Sequence, residues 1–437
     1  MPRDHICATM APSGRRWAAA DAALTPPAPG KNLSPMSSQP LPQDERLHLA
    51  QLFSLFLGSM IAPMGGIGVV PLIPVFTQQW SLPFSLATLV IPFYMAPFII
   101  IQLMAGSLAQ LCDERKALIM GLLTYALGAA ICGLAPDRWT LFAGRMVQGT
   151  GAGLVIPVAM AQIGELVPQR HLGKTMGMLG LFSTAGVTLG PLISGLLETH
   201  YGWPSFFYFL VGLSLTACLL YLPSSRSAPP PAGGKVALGA VAADFRRALV
   251  LPGALSVGFA AFFLFVCYIG ILTFTAQYLK TVQGLASDKV GALLSAAGIA
   301  GVVISPFAGY LGDRMGRRRV VLAGAGLALA GISLMALLPY SYDRYLLWFL
   351  MYGTGVAAAW TVLNTMAVDL SPELRRPVTS LYNAIKFTGY AVAPQALSLL
   401  WDLSSLSAVQ WGCLAAVVIA TLLALLGQAQ ALRAVRG

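Results

Sequence analysis

Twelve apolar runs in this chain are each long enough, as helix, to cross a hydrocarbon layer, which is about 30 Å thick and takes roughly 20 residues. They cover residues 48–76, 84–111, 117–135, 139–166, 175–197, 204–222, 253–279, 289–312, 320–338, 344–370, 378–400 and 408–427. In lipid every backbone N–H and C=O must be paired within the protein, so runs of this length are read as helices. Internal glycines and prolines, as in Ala62-Pro63-Met64-Gly65-Gly66, are tolerated where neighbouring helices re-satisfy the backbone. Composition agrees, since 10% of the residues are charged and 57% hydrophobic, whereas a soluble domain carries roughly a quarter charged residues. The expected fold is an all-α membrane protein of 12 transmembrane helices.

The formal net charge of +11 is explained by where the basic residues fall. With the N-terminus in the cytoplasm, 21 of the 27 Lys and Arg residues lie on the inner side, in the tail and in the stretches 115–116, 170–174, 226–247, 314–319, 375–376 and the C-terminus. Outer loops hold Arg138, Lys280, Lys289 and Arg344. That bias places both termini in the cytoplasm. The basic residues are split among short loops and form no continuous face, so a nucleic-acid partner is not expected. The cysteines (Cys7, Cys112, Cys132, Cys218, Cys267, Cys413) form no C-x-x-C pair and have no histidine cluster nearby. They read as small apolar packing residues, with no metal or cofactor expected.

Residues 1–47 are rich in Pro, Ser and Ala and read as a disordered cytoplasmic tail, with Met36 a candidate true start and a basic transit peptide the competing reading. The chain matches itself at an offset of 203 residues: Gly106 with Gly309, Arg115 with Arg318, Gly128 with Gly331, Gly186 with Gly389 and Pro191 with Pro394. This is the signature of a six-helix unit present twice in parallel orientation. The expected organisation is a bundle over 48–222, a cytoplasmic linker over 223–252 with a short surface helix, a bundle over 253–427 and a tail over 428–437.

Three motifs carry chemistry. After the eighth run comes Gly309-Tyr310-Leu311-Gly312-Asp313-Arg314-Met315-Gly316-Arg317-Arg318-Arg319, where an acid and an arginine cluster at the membrane surface can dock against helix ends. Its first-half copy keeps Gly106, but Gln110, Leu111 and Asp113 replace the Asp, Arg and second Gly. The fourth run holds Gly144-Arg145-Met146-Val147-Gln148-Gly149, with Arg145, Gln148 and Gly149 on one helical face. The fifth holds Gly186-Val187-Thr188-Leu189-Gly190-Pro191-Leu192-Ile193-Ser194-Gly195. Small residues four apart there permit close helix approach, and Pro191 bends the helix.

Together these residues resemble the major facilitator superfamily, and the fifth-run motif, with Ser194 at one Gly position, resembles that of its drug:proton antiporters. The resemblance implies two parallel six-helix halves that transport a small molecule by alternating access. It implies export of an amphipathic drug or metabolite with the proton as coupling ion, in a monomer of the bacterial inner membrane. It associates Arg145 with proton coupling, whereas the residues alone leave open that Arg145 hydrogen-bonds backbone carbonyls and only holds helices together. It also implies a cavity between the halves, for which Gln51, Phe93, Tyr94, Phe263, Tyr268, Gln277, Trp360, Tyr382, Asn383 and Tyr390 are candidate walls.

No Asp or Glu falls near the middle of a run. Arg145 and Lys386 are therefore the central charges, with Gln148 beside the first, and Lys386 either carries protons, binds an anionic or zwitterionic substrate, or snorkels with no transport role. Glu165 and Asp369 end the fourth and tenth runs at the inner surface. Asp369 is expected to pair with the loop 313–319 when the cavity faces outward and to release it on switching. Import of an organic anion is the second functional reading, and a non-transporting receptor or scaffold the third. An enzyme is not expected, because no nucleophile–base pair, metal-ligand cluster or phosphate loop is present in suitable context.

Overall fold

The computed structural model describes residues 43–111, 113–224, 238–371, 373–404 and 406–436. The expected residues 1–42 of the tail, with Cys7 and the Met36 start, Cys112, and residues 225–237 of the linker lie outside them. The described residues are almost entirely helical. The first traverse is broken into α1 (Gln43–Ile67), a 3-10 turn (Val70–Leu72) and α2 (Ile73–Gln79). The second consists of α3 (Phe84–Ala87) and α4 (Val90–Leu111). The first half continues with α5 (Glu114–Gly133), α6 (Arg138–Leu166), α7 (Gln169–Tyr201) and α8 (Pro204–Ser224). After α9 (Leu238–Val250), the second half comprises α10 (Ala254–Thr281), α11 (Ser287–Met315), α12 (Arg317–Leu337), α13 (Tyr342–Asp369), α14 (Arg375–Ser404) and α15 (Leu406–Arg436).

Among the described residues, 11 helical stretches are long and apolar enough to cross a membrane. The twelfth expected span, 378–400, lies in α14, whose 30 residues suffice in length. Its Arg375, Arg376, Asn383, Lys386, Gln395 and Asp402 lower its hydropathy. α15 runs on through the expected C-terminal tail, because Gln428-Ala429-Gln430-Ala431-Leu432-Arg433 is built of strong helix formers.

Local sequence sets the helix ends. Asp137 begins α6 by accepting from the backbone N–H groups of Trp139 and Thr140, at 2.8 and 3.0 Å. These bonds, the Thr140 backbone N–H foremost, hold its carboxyl below the usual aspartate range. Asp113 caps α5 in the same way through Arg115 N–H. Gly316, at φ 91°, lets the chain leave α11 and begin α12 at once, a turn that an L side chain rarely adopts.

The two halves repeat one packing plan. α5 packs on α6 and α8 in the first half as α12 does on α13 and α15 in the second, while α4 lies on α6 as α11 does on α13. The halves meet where α7 lies along α11 and α4 along α14. Repeated glycines mark the tightest crossings: a Cβ at Gly186 would overlap the Met60 carbonyl oxygen, and one at its repeat partner Gly389 would overlap that of Phe262. Cys132, Cys218, Cys267 and Cys413 are all buried.

Candidate functional site

Between the halves lies a cavity of about 470 Å³. At the end away from the loops 113–116 and 314–319, α7 and α11 close on each other. A Cβ at Gly195 would overlap the Ser287 carbonyl, one at Gly291 the Pro191 carbonyl, and one at Gly298 would press on Thr188. Lys280 reaches Glu198 across the same seam at 3.5 Å and also donates to Ser287 Oγ. Gln395 Nε2 of α14 donates to Ser85 O and Thr88 Oγ1 at 3.0 and 2.9 Å, closing the second seam beside α3 and α4. Toward the basic loops the helices diverge, and a Cβ at Gly173, Gly177 or Gly180 would meet open space. The cavity therefore opens at the basic end.

Arg145 is fully buried beside the wall of the cavity. Its Nε donates to Val90 O at 3.1 Å, and its Nη1 to Gly65 O at 3.0 Å and to Gln148 Oε1 at 2.6 Å. The guanidinium lies 4.1 Å from the centre of the Tyr94 ring, an attractive cation–π contact. Gly65 stands where α1 gives way to the 3-10 turn, so its carbonyl is one of the orphans of a helix C-terminus. Arg145 supplies the missing donor and pins that break. Tyr125 and Tyr94 hydroxyls satisfy the neighbouring Ile61 and Ala62 carbonyls, at 3.0 and 2.7 Å.

Lys386 is also buried, at 5% exposure. Its ammonium donates to Asn383 Oδ1 at 2.7 Å. It sits 4.6, 5.2, 5.5 and 5.6 Å from the ring centres of Phe387, Tyr382, Trp360 and Phe265. Phe265, Trp360 and Phe387 line the cavity, so the ammonium stands directly behind its aromatic wall.

Of the residues expected to form the walls, Tyr94, Tyr268, Trp360 and Tyr390 do so. Tyr382 and Asn383 belong to the Lys386 surroundings behind them. The other four lie elsewhere. Phe93 stacks on Phe142 at 4.9 Å, Phe263 packs edge-on against Phe262 at 5.3 Å, Gln51 is buried beside Tyr221, and Gln277 is buried within α10 away from the lining. Their helices are apolar all round, so the sequence does not say which side turns inward. Phe98, Phe265, Asn364 and Thr184 line the cavity without having been singled out. For two of them a signal existed, since Phe98 stands one turn beyond Tyr94 and Phe265 one turn before Tyr268, on the same helical faces.

At the basic end, Arg317 donates to the Asp369 carboxylate, joining the start of α12 to the end of α13. Arg314 lies 5.1 Å over the Tyr310 ring, and Asp313 is exposed. The expected pairing of Asp369 with this loop is present, through Arg317, but its expected release when the cavity no longer faces outward is not seen. The pair is made while the cavity is open at this end, and both partners belong to one half, so opening does not part them. In the first half Glu114 occupies the repeat position of Arg317, and Glu165-Leu166-Val167-Pro168 matches Asp369-Leu370-Ser371-Pro372 at an offset of 204, so like charges stand where the second half has an ion pair. Gly106 lies within α4, while Gly186 and Gly190 of the α7 motif pack on α1, and Gly195 packs on α11.

Residues 55–394 and 283–432 match the family profile described as Major Facilitator Superfamily. The chain is 26% identical over 334 residues to a Bacillus subtilis protein named as an uncharacterized MFS-type transporter, YwfA, covering 76% of this chain and 80% of that one. It is 24% identical to the multidrug resistance protein Stp of Mycobacterium tuberculosis, over 75% of this chain and 70% of that one. It is also 24% identical to the multidrug resistance protein MdtG of Proteus mirabilis, over 78% and 87% respectively. Among solved structures, a bacterial homologue of the human lysosomal transporter Spinster, in an inward-facing and unoccupied conformation, shares the fold with a TM-score of 0.69 at 15% identity, over 90% of this chain and 98% of that one. Two parallel six-helix halves, a central cavity sealed at one end and a profile match over most of the length lead to one assignment: the chain belongs to the Major Facilitator Superfamily, whose members are transporters and not enzymes.

Proposed function

We propose that this protein exports a small amphipathic molecule by alternating access, energised by the proton electrochemical gradient. The cavity between the halves, sealed at one end and open at the other, is the observation that carries the reading. With the basic loops on the cytoplasmic side, the protein is a monomer of the bacterial inner membrane with both termini inside, and its cavity faces the cytoplasm. The mixture of aromatic walls with Ser183, Thr184, Thr361 and Asn364 suits a ligand that is apolar over most of its surface and polar at one end. The names of the multidrug resistance relatives and the glycine motif of α7 favour export.

Among the described residues no carboxylate lines the cavity, so the gradient acts on the central cations, through a proton on Lys386 or through the charge of the cargo. The second reading, import of an organic anion, is favoured by the same lysine, because a proton and an anion bound at one site travel together. Flux into inside-out and right-side-out membrane vesicles, with a panel of cationic, neutral and anionic amphipathic dyes, separates them. Export predicts accumulation in inside-out vesicles that a protonophore abolishes. Accumulation in right-side-out vesicles alone would establish import, and no flux above that of vesicles lacking the protein would reduce the chain to a receptor or scaffold.

A further inference from the structure

The charges around the cavity do not balance. Arg145 and Lys386 are buried beside it, and every Asp and Glu of the membrane-spanning helices lies near a helix end, as Glu198 does with Lys280 at the closed seam and Asp369 with Arg317 at the open end. Arg145 is held through Nε and Nη1 by Gly65, Val90 and Gln148 and lies over the Tyr94 ring, while its Nη2 has no hydrogen-bond partner among the described residues. Among the described residues Lys386 has one acceptor, Asn383 Oδ1, for its three donor hydrogens.

The polar groups around Lys386 are unsatisfied in the same sense. Trp360 Nε1, Tyr382 Oη and Tyr390 Oη are buried without a hydrogen-bond partner among the described residues. Trp360 and Tyr390 face the cavity. An indole N–H is a donor and nothing else, and a buried donor left unpaired is costly. The surrounding rings of Phe98, Phe265 and Phe387 offer faces and edges for an aromatic ligand. A ring cage of this kind otherwise suits a cation, but here Lys386 already fills it, so a second cation meets repulsion.

We propose that the cavity takes an amphipathic monoanion, an aryl carboxylate, whose rings lie among Phe98, Phe265 and Phe387 and whose carboxylate accepts from Trp360 Nε1 beside the Lys386 ammonium. The proposal rests on the cavity being the transport site and names the class of its cargo. Among the described residues Lys386 is the buried cation with the fewest acceptors, and it sets the charge at one; Arg145 keeps three acceptors and the Tyr94 ring, with its Nη2 alone unpaired. Asn383 orients the ammonium, and a carboxylate in its place would neutralise the site from within.

The full chain purified in detergent tests this by calorimetric titration with 2-naphthoate, 2-naphthylmethanol and 2-naphthylmethylammonium, which share one ring system and differ in charge. Naphthoate is expected to bind about tenfold or more tighter than the alcohol, with the ammonium weakest. Lys386→Met should erase that preference while leaving the alcohol's affinity within about twofold, Lys386→Arg should retain it, and Asn383→Asp should abolish it with the lysine in place. Retained alcohol binding shows that a variant is folded. Equal or stronger binding of the alcohol or the ammonium, a preference that survives in Lys386→Met, or no naphthoate binding at about 1 mM overturns the proposal. If the preference holds while vesicles show no flux, the transport reading fails and the ligand assignment stands.

Discussion

Arg145 and Lys386 are both buried cations in a membrane bundle, yet their surroundings give them different work. Arg145 spends its fork on Gly65 O, Val90 O and Gln148, which is the geometry of a residue that holds a broken helix in place. Lysine cannot reproduce that fork. Arg145→Lys should therefore destabilise the protein by about 2 kcal/mol or more, the cost of leaving buried acceptors unpaired, read as a lower thermal midpoint in detergent. An unchanged midpoint would show that these bonds hold nothing. The sequence reveals such an arginine at once, because a guanidinium within an apolar run is rare and costly. It conceals the partners, since main-chain carbonyls bear no residue label, and it conceals that Phe93 turns toward Phe142 while Tyr94, its neighbour in the chain, faces the cavity.

At the scale of helices, the sequence is most readable where backbone meets backbone. Gly186 and Gly389, paired by the repeat, sit at equivalent crossings against Met60 and Phe262, so the repeat preserved the residue because no other fits. Gly195 has no such internal partner in the repeat reading. Its contact is with Ser287 of the opposite half, and that contact is invisible until the halves are docked. Replacing Gly195 by Leu forces α7 and α11 apart at the closed end, an overpacking that costs about 1–3 kcal/mol and falls on this conformation alone. Hydrogen–deuterium exchange should speed up in residues 196–201 and 287–291, while α5 and α12 exchange as before. Unaltered exchange along both α7 and α11 would mean that this seam is not a closed gate. The polar α14 shows the converse limit: its run 378–400 is long enough to be read as a span, yet it is absent from the 11 described stretches apolar enough to cross a membrane, because the lysine and asparagine that serve the site also dilute its hydropathy.

For the whole molecule, the decisive feature is the contrast between its ends. One is shut by glycine contacts, the Lys280–Glu198 pair and Gln395, while the other gapes between two halves that are each internally tied, the second by Arg317–Asp369. Such halves can rock as bodies, because among the described residues the side-chain hydrogen bonds that cross between them are gathered at one end. A pair as exposed as Arg317–Asp369 is worth about 1 kcal/mol at most, so it steadies a half and does not lock a state. The most direct test places spin labels at Arg170 and Met315 across the open end, and at Tyr201 and Val282 across the closed end, in the protein reconstituted into liposomes. With 2-naphthoate present and a transmembrane gradient imposed, the first distance should shorten as the second lengthens, both within one population of molecules. Two distances that stay fixed, or that change in the same direction, would contradict alternating access about this cavity.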